Sequence, residues 1–450
     1  MVFFFLISIL TYSFAPVQFS YEFCLVLLCL FLMQSYLFIK CVNKQSKQKI
    51  HFHLLFLVTS LVTVFLYPIF IYPISPNFFN VFEVKEVFVN KGTALCAMCL
   101  SGYMCGAVLS MRIKNKNNNI PRIKARYYYS YHKYIVYLLW LVACILLLKY
   151  VPQIGRNYGA IQKDDISYSL LVVLYTVALL QGCLKLNHSL SLFGFIKNNI
   201  WTITPIAIVL IVYLMIGVRY TVLQIGLLTI GIYMQNTRKF SLKSFLLLCI
   251  VGVISFAYIV QTRNMKNSNT EISLFETNSA GISPVLVMLS DMIAPAKNIY
   301  TGLDYVNKNG FLYGQTYIQT LLAPIPLLPS LATSVLFDKT PVETTTQFVL
   351  SKYTEKREHR DINMYVGSNC FVDLYMNFGT IITLLCFVMF GCLVQYLFMN
   401  RDRTMCGALY VLLFSSSVFM VRDSLFSDMR IYLWTLGLLF FLSHRIKLRL

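Results

Sequence analysis

Charge is what this chain has least of. Only 12% of its 450 residues are Asp, Glu, Lys or Arg, against 58% hydrophobic, and its mean hydropathy is +0.66. That balance excludes a water-soluble globular fold and predicts an all-α membrane bundle that crosses the bilayer many times. Walker-type and dinucleotide glycine patterns are absent, which removes nucleotide-driven chemistry on the cytoplasmic side. No paired metal ligands stand at a recognisable spacing in the outward segments, so the expected chemistry is metal-independent, with no cofactor. Tryptophan is scarce (3), while Phe (35) and Tyr (30) abound, as in helices with aromatic ends at the interface. No basic residue precedes the apolar N-terminus and no clear small-residue cleavage site follows it, so it reads as an uncleaved first span. Thirteen cysteines are present, but all except Cys370 fall in spans or at cytoplasmic edges. The Cys96/Cys99 pair lies in an apolar span without further Cys or His partners, which fits small hydrophobes in a helix.

What is present is apolar length. A hydrocarbon core of about 30 Å needs about 20 residues of helix. That rule marks twelve spans, near 2–19, 21–39, 54–75, 93–111, 134–150, 167–184, 200–217, 219–235, 244–261, 377–398, 404–421 and 430–444. The first pair is broken at Pro16. Three regions follow: an N-terminal bundle (1–261, nine spans), a long loop (262–376) and a C-terminal bundle (377–450, three spans).

Positive segments stay cytoplasmic. One set of alternate connections, with the C-terminal tail, holds twenty-one positive side chains and one negative, whereas the other set holds seventeen of each. The whole excess of +20 is therefore a topology signal and requires no nucleic-acid partner. It places both termini in the cytoplasm and the long loop outside, and makes His359 the only outward histidine.

The loop holds TYIQTLLAPIPLLPSLATSVLF, apolar enough to touch lipid, yet Pro324, Pro326 and Pro329 rule out a regular spanning helix. Short helices lying at the interface or re-entering the bundle are expected there. A charged run, Lys352 to Asp361, follows, and reads equally as a solvated face or as part of a site.

Several arginines stand at outer span ends, where an unpaired cation is costly. Arg219 sits at the tip of a hairpin with almost no loop, Arg263 opens the long loop, and Arg422 and Arg430 flank a short outer connection containing Asp423 and Asp428. Guanidinium groups gathered at one depth would bind a lipid-linked phosphate or pyrophosphate through their planar forks. Interfacial snorkelling and a plain Arg422–Asp423 ion pair are the ordinary alternatives. Outer candidates for proton transfer are Asp373, His359, Glu358, Asp361 and Asp428. Asp373 lies in a mostly apolar stretch just before a span, and His359 titrates in the right range.

The span layout, Arg219, Arg263, the long outer loop and the Arg422/Arg430 pair together resemble the Wzy-type oligosaccharide repeat-unit polymerases of O-antigen, capsule and enterobacterial common antigen. The loop carries the more specific likeness. GFLYGQTYIQTLLAPIPLLPS, then DKTP (338–341), then GSNCFVDLYMNFG (367–379), follow that family's succession of a GxxY-like segment, a proline-rich turn, a Lys-Pro-like element and an acidic-aromatic stretch ending in Asn-Phe-Gly. Thr340 interrupts the Lys-Pro element, and Asp373 stands where many members have Glu. The related O-antigen ligases place a His-Asn pair eleven residues before a comparable glycine; here that spacing falls on Ser368-Asn369 and Gly379, without the histidine.

The resemblance implies a glycosyltransferase in the bacterial inner membrane that joins undecaprenyl-pyrophosphate-linked oligosaccharides at its outer face. Membrane lipid surrounds it, and a chain-length regulator protein is a candidate partner. Arg219, Arg263, Arg422 and Arg430 would hold the leaving pyrophosphate, Asp373 or His359 would take the acceptor proton, and Tyr375 and Asn377 would bind glycan. The competing readings are a lipid-linked oligosaccharide flippase or other transporter, an O-antigen ligase and a structural membrane subunit. A transporter would want charges near the midplane and, often, related halves; here charges crowd the outer ends and no internal repeat is evident.

Overall fold

A computed structural model describes the protein over residues 1–46, 48–76, 78, 84–115, 132–148, 165–184, 194, 197, 200–216, 219–237, 293–358, 367–401 and 404–445. No strand occurs among these residues. The helices are α1 (Val2–Ser13), α2 (Tyr21–Ser46), α3 (Phe52–Ile71), α4 (Glu86–Asn115), α5 (His132–Leu148), α6 (Asp165–Leu184), α7 (Ile200–Ile216) and α8 (Arg219–Thr237). After them come α9 (Ala296–Asn309), α10 (Gln315–Leu322), α11 (Leu328–Phe337), α12 (Thr346–Glu358), α13 (Cys370–Met399), α14 (Thr404–Ser416) and α15 (Met429–Arg445). A helix stands at eleven of the twelve expected span positions; the twelfth, 244–261, lies outside the described residues. Four of the helices, α2, α3, α4 and α13, are individually long and apolar enough to cross a membrane.

Local chemistry sets the element ends. Ser20 opens α2 by accepting the Phe23 N–H, the His51 ring caps α3 by accepting that of Leu54, and Asn369 caps α13 by accepting that of Phe371. In α3 the helix widens into π turns over Leu61–Phe65 and Tyr67–Ile71, where Pro68 has no N–H to give the regular ladder. Gly310, at φ 80°, stops α9.

The axis of the fold is the α4–α13 pair, and α4 is the most thoroughly buried of the long helices. Small residues permit the approach. Gly102 and Gly106 lie one turn apart on α4, and a Cβ on Gly106 would collide with the Val388 carbonyl. Reciprocally, a Cβ on Gly391 of α13 would collide with the Tyr103 carbonyl. In lipid, where apolar burial gives helices little reason to associate, such close backbone packing is a main source of affinity.

Helix α13 changes the predicted boundary between loop and bundle. It begins at Cys370, inside the expected loop, and is broken at Gly379 (φ 72°, ψ −174°). The twenty residues after the break suffice for about 30 Å of bilayer, while 370–378 form a separate helical piece above it. The long segment is also no detached cap. On α9, Ile299, Tyr300 and Leu303 press on Gly92 of α4, and Gly302 lies against Val372 and Met376 of α13. Helix α14 is shorter than the span expected there: it ends at Ser416, and 417–428 form buried and half-buried turns.

Connections expected to share a face meet in the structure. At one end the Gln48 amide donates to the Met234 carbonyl, Gln235 donates to the Arg401 carbonyl at 2.6 Å, and the Arg401 guanidinium donates to Gln48. At the other end Asn90 donates to the Pro16 and Gln18 carbonyls, Glu86 accepts the Phe19 N–H, and Lys85 pairs with Asp304 at 3.0 Å.

Asp304 is the hub of that second end. Its buried carboxylate also receives Tyr353 (2.7 Å) and Arg357 (3.3 Å) from α12, with Lys308 at 3.8 Å. The charged run is thus partly a lock: Arg357 is buried in it, while Lys352 and Lys356 face solvent. Burial works against the Asp304 charge, but the Tyr353 hydroxyl and Lys85 more than offset it and hold the carboxyl below its ordinary 3.8. A carboxyl depressed in the fold contributes stability above its unfolded pKa and loses it as pH falls through the folded value. Asp304→Asn should therefore lower the unfolding midpoint of the purified protein at pH 7, by about 2 kcal/mol of stability. The gap to wild type should close as the pH is taken below that of an ordinary carboxyl, read by thermal melts across pH.

Candidate functional site

The residues 370–378 beside the Gly379 break carry a dense polar cluster. Asp373, 1% exposed, and Asn377 share a helix face because four residues are about one turn. Two other elements supply hydroxyls to the same carboxylate oxygen, Oδ1. Thr316 of α10 donates at 2.9 Å, and Thr346 of α12 donates a short bond. The Asn377 amide donates to Thr316 Oγ1 (2.7 Å) and to the Asp373 carbonyl (2.7 Å), with Oδ1 at 3.4 Å, and its own oxygen accepts the Thr316 N–H. The other carboxylate oxygen, Oδ2, receives none of these bonds. Tyr317 and Ser424 also lie close enough to the carboxylate to favour its charged form, and the Tyr317 ring is tilted against Phe378 and edge-on to Phe426.

Gly379 makes this possible. Its positive φ, unfavourable for other residues, turns the helix, and the Phe311 ring lies 3.2 Å from where a Cβ would be. The Asn-Phe-Gly ending thus has three separate tasks: Asn377 holds Thr316, Phe378 packs on Tyr317, and Gly379 bends the backbone.

Ser424 ties the cluster to the α14–α15 connection, which carries Arg422 and opens into α15 at Arg430; both arginines are half-buried. Asp428 fastens that connection to α8. Its carboxylate accepts Tyr220 at 2.8 Å, Gln224 at 2.8 Å and Ser416 at 2.6 Å. Tyr220 is the residue after Arg219, so the backbone of Arg219, first residue of α8, stands at the same end as Arg422. Of the expected site residues, the structure brings together Asp373, Asn377, the Arg422–Arg430 segment and the Arg219 position. Tyr375 lies apart: two residues from Asp373, it points away from the carboxylate and packs at the Phe311 ring. Arg263, His359 and Asp361 lie outside the described residues. Glu358 is engaged by Arg357 at 2.7 Å in the α12 lock. Among the described residues no group of three or more His, Cys, Asp or Glu could hold a metal ion.

Sequence reasoning passed over Thr316, Tyr317, Thr346 and Ser424, whose hydroxyls carry no signal until the fold joins them. It also passed over Lys297. In the first turn of α9, beside Asn298, whose amide donates to the Ser368 carbonyl, Lys297 is 5% exposed. Burial pushes its ammonium pKa down to about 7.

No protein-family model matches this chain, and no curated protein and no solved structure matches it. What stands, among the described residues, is an all-helical fold with four helices fit to cross a membrane, among shorter apolar ones, and a buried carboxylate cluster at one end.

Proposed function

We propose that the protein is a glycosyltransferase that polymerises undecaprenyl-pyrophosphate-linked oligosaccharide repeats at the outer face of a bacterial inner membrane, with twelve spans and both termini cytoplasmic. The observation that carries this reading is Asp373: a buried carboxylate with one oxygen anchored by Thr316 and Thr346, with Tyr317 and Ser424 beside it, next to a segment bearing arginines. A general base needs a carboxylate held in one direction, and the threonine bonds to Oδ1 hold this one.

In the reaction a hydroxyl of the terminal sugar on the incoming repeat gives its proton to Asp373 Oδ2. Its oxygen bonds to the anomeric carbon of the growing chain. The bond from that carbon to undecaprenyl pyrophosphate breaks, and the pyrophosphate leaves with the electron pair. Charge develops on the leaving group, and Arg219, Arg263, Arg422 and Arg430 would neutralise it. Ser424, half-buried beside the cluster, would hydrogen-bond the acceptor sugar.

Two results follow. Cells lacking the gene should keep a single capped repeat where wild type shows a ladder on a glycan gel. Polymer stranded on undecaprenyl pyrophosphate would instead mark a ligase, and repeats trapped on the cytoplasmic face a flippase. Arg219→Ala and Arg422→Ala should each reduce polymer by roughly a hundredfold at normal protein level, the scale for losing one charge-stabilising donor; wild-type ladders from both would remove the arginines from the reaction.

A further inference from the structure

Between Lys308 and Asp338 the chain carries no charged side chain, and within this stretch α10 and α11 form a hairpin with apolar groups turned outward. Leu327, Leu331, Val335 and Leu336 are each more than 60% exposed. In water such a surface would be costly, and its position indicates what covers it.

Two contacts fix the depth of the hairpin against α15. At the top, Tyr317 in the first turn of α10 meets Phe426, in the connection that precedes α15. At the tip, the Trp434 indole N–H donates to the Pro324 carbonyl at 2.9 Å. Trp434 is five residues into α15, roughly 7 Å down the helix from its start. Helix α10 therefore runs downward, from the level of the polar connection to the level of the α15 span. There α15 itself exposes Leu433, Trp434 and, further down, Phe440 and Phe441. The apolar face of the hairpin continues the apolar face of α15, a shorter apolar helix at the last of the expected span positions.

The turn is built for a medium without water, where each unbonded backbone group is expensive. Pro324, Pro326 and Pro329 have no N–H to satisfy. Ile325 N–H donates to the Leu322 carbonyl, Leu331 N–H to that of Leu327, and the exposed Pro324 carbonyl is taken by Trp434. Thr333, the one buried side chain of α11, turns its hydroxyl back on the Pro329 carbonyl at 2.9 Å. Charge returns only past the helix, at exposed Asp338 and Lys339.

We infer that α10 and α11 are a re-entrant hairpin whose tip lies among the acyl chains of the outer leaflet beside α15, so that bilayer lipid, and no protein partner, covers Leu327, Leu331 and Val335. Because Thr316 and Tyr317 head the same helix, the Asp373 cluster stands one short helix, about 12 Å, above the hairpin tip. The lipid contact does not depend on what reaction the cluster performs.

The test places the photo-crosslinking residue p-benzoylphenylalanine singly at Leu331, Val335, Lys339 or Phe441 of the full chain in its native membrane. After irradiation the protein is purified under denaturing conditions and adducts are read by mass. Phe441, on the exposed face of α15, is the positive control, and Lys339 the polar one. Phospholipid adducts at 331 and 335 at the level of 441, and at least tenfold above 339, are expected. Adducts to a second copy of the chain or to another protein at 331 and 335, or none there while 441 labels, would overturn the inference. Repeating the experiment with Asp373→Asn separates the two proposals, since lipid adducts should persist whether or not the glycan reaction does.

Discussion

Replacing Asp373 with asparagine should abolish polymer, with a fall of at least a hundredfold, while chain level and membrane insertion stay normal. The amide retains an oxygen for Thr316 and Thr346, so the cluster keeps its packing; it loses the capacity to take a proton. General bases contribute typically 10² to 10⁴ in rate, which sets the expected range. Asp373→Glu should keep a fraction of activity, because its longer arm overshoots the two threonines but still presents a carboxylate. Thr346→Val, which removes an anchor without touching the base, should fall between them, and Thr346→Ser should restore it. A ladder of wild-type length from the asparagine variant would show that Asp373 serves the structure alone.

The second large effect concerns assembly. Leucine at Gly391 should strip the protein from the membrane fraction, since its Cβ alone would collide with the Tyr103 carbonyl of α4 and no side-chain movement relieves a clash with backbone. Gly106→Leu should do the same through the Val388 carbonyl. Gly437 of α15, where a Cβ would meet nothing, is the matched control and should tolerate alanine. Overpacking in an interior typically costs 1–3 kcal/mol; two backbones forced apart along a 30-residue helix should exceed that range. Protein level by immunoblot of membranes reads the result.

How far the residues alone reach can be judged at particular positions. Apolar length alone picks out a helix at almost every expected span position, because the bilayer imposes that rule on the sequence locally. The proline-rich stretch is legible for the same reason: three prolines cannot sit inside one helix. Asp373 and Asn377 stand out as polar residues in an apolar run, and their i, i+4 spacing puts them on one face. Their partners do not stand out. Thr316 lies 57 residues away in sequence and Thr346 lies 27 away, and a threonine is unremarkable until a helix places it on a carboxylate. Tyr375 is misleading in sequence because proximity along a helix is not proximity on its face. The break at Gly379 could have been suspected from an Asn-Phe-Gly ending, but only the positive φ tells that glycine from one inside a regular turn. Arg357 looks solvated within a charged run and is buried on Asp304, a pairing that long-range packing alone decides.

The most direct test of the central claim is stoichiometry in a purified system. The protein is reconstituted in bilayers with a synthetic undecaprenyl-pyrophosphate-linked repeat unit, and released undecaprenyl pyrophosphate is counted against new glycosidic bonds. One carrier released for each bond formed, lost in Asp373→Asn, is the predicted result. Intact substrate merely redistributed between leaflets, or carrier release without elongation, would contradict the assignment of a polymerase.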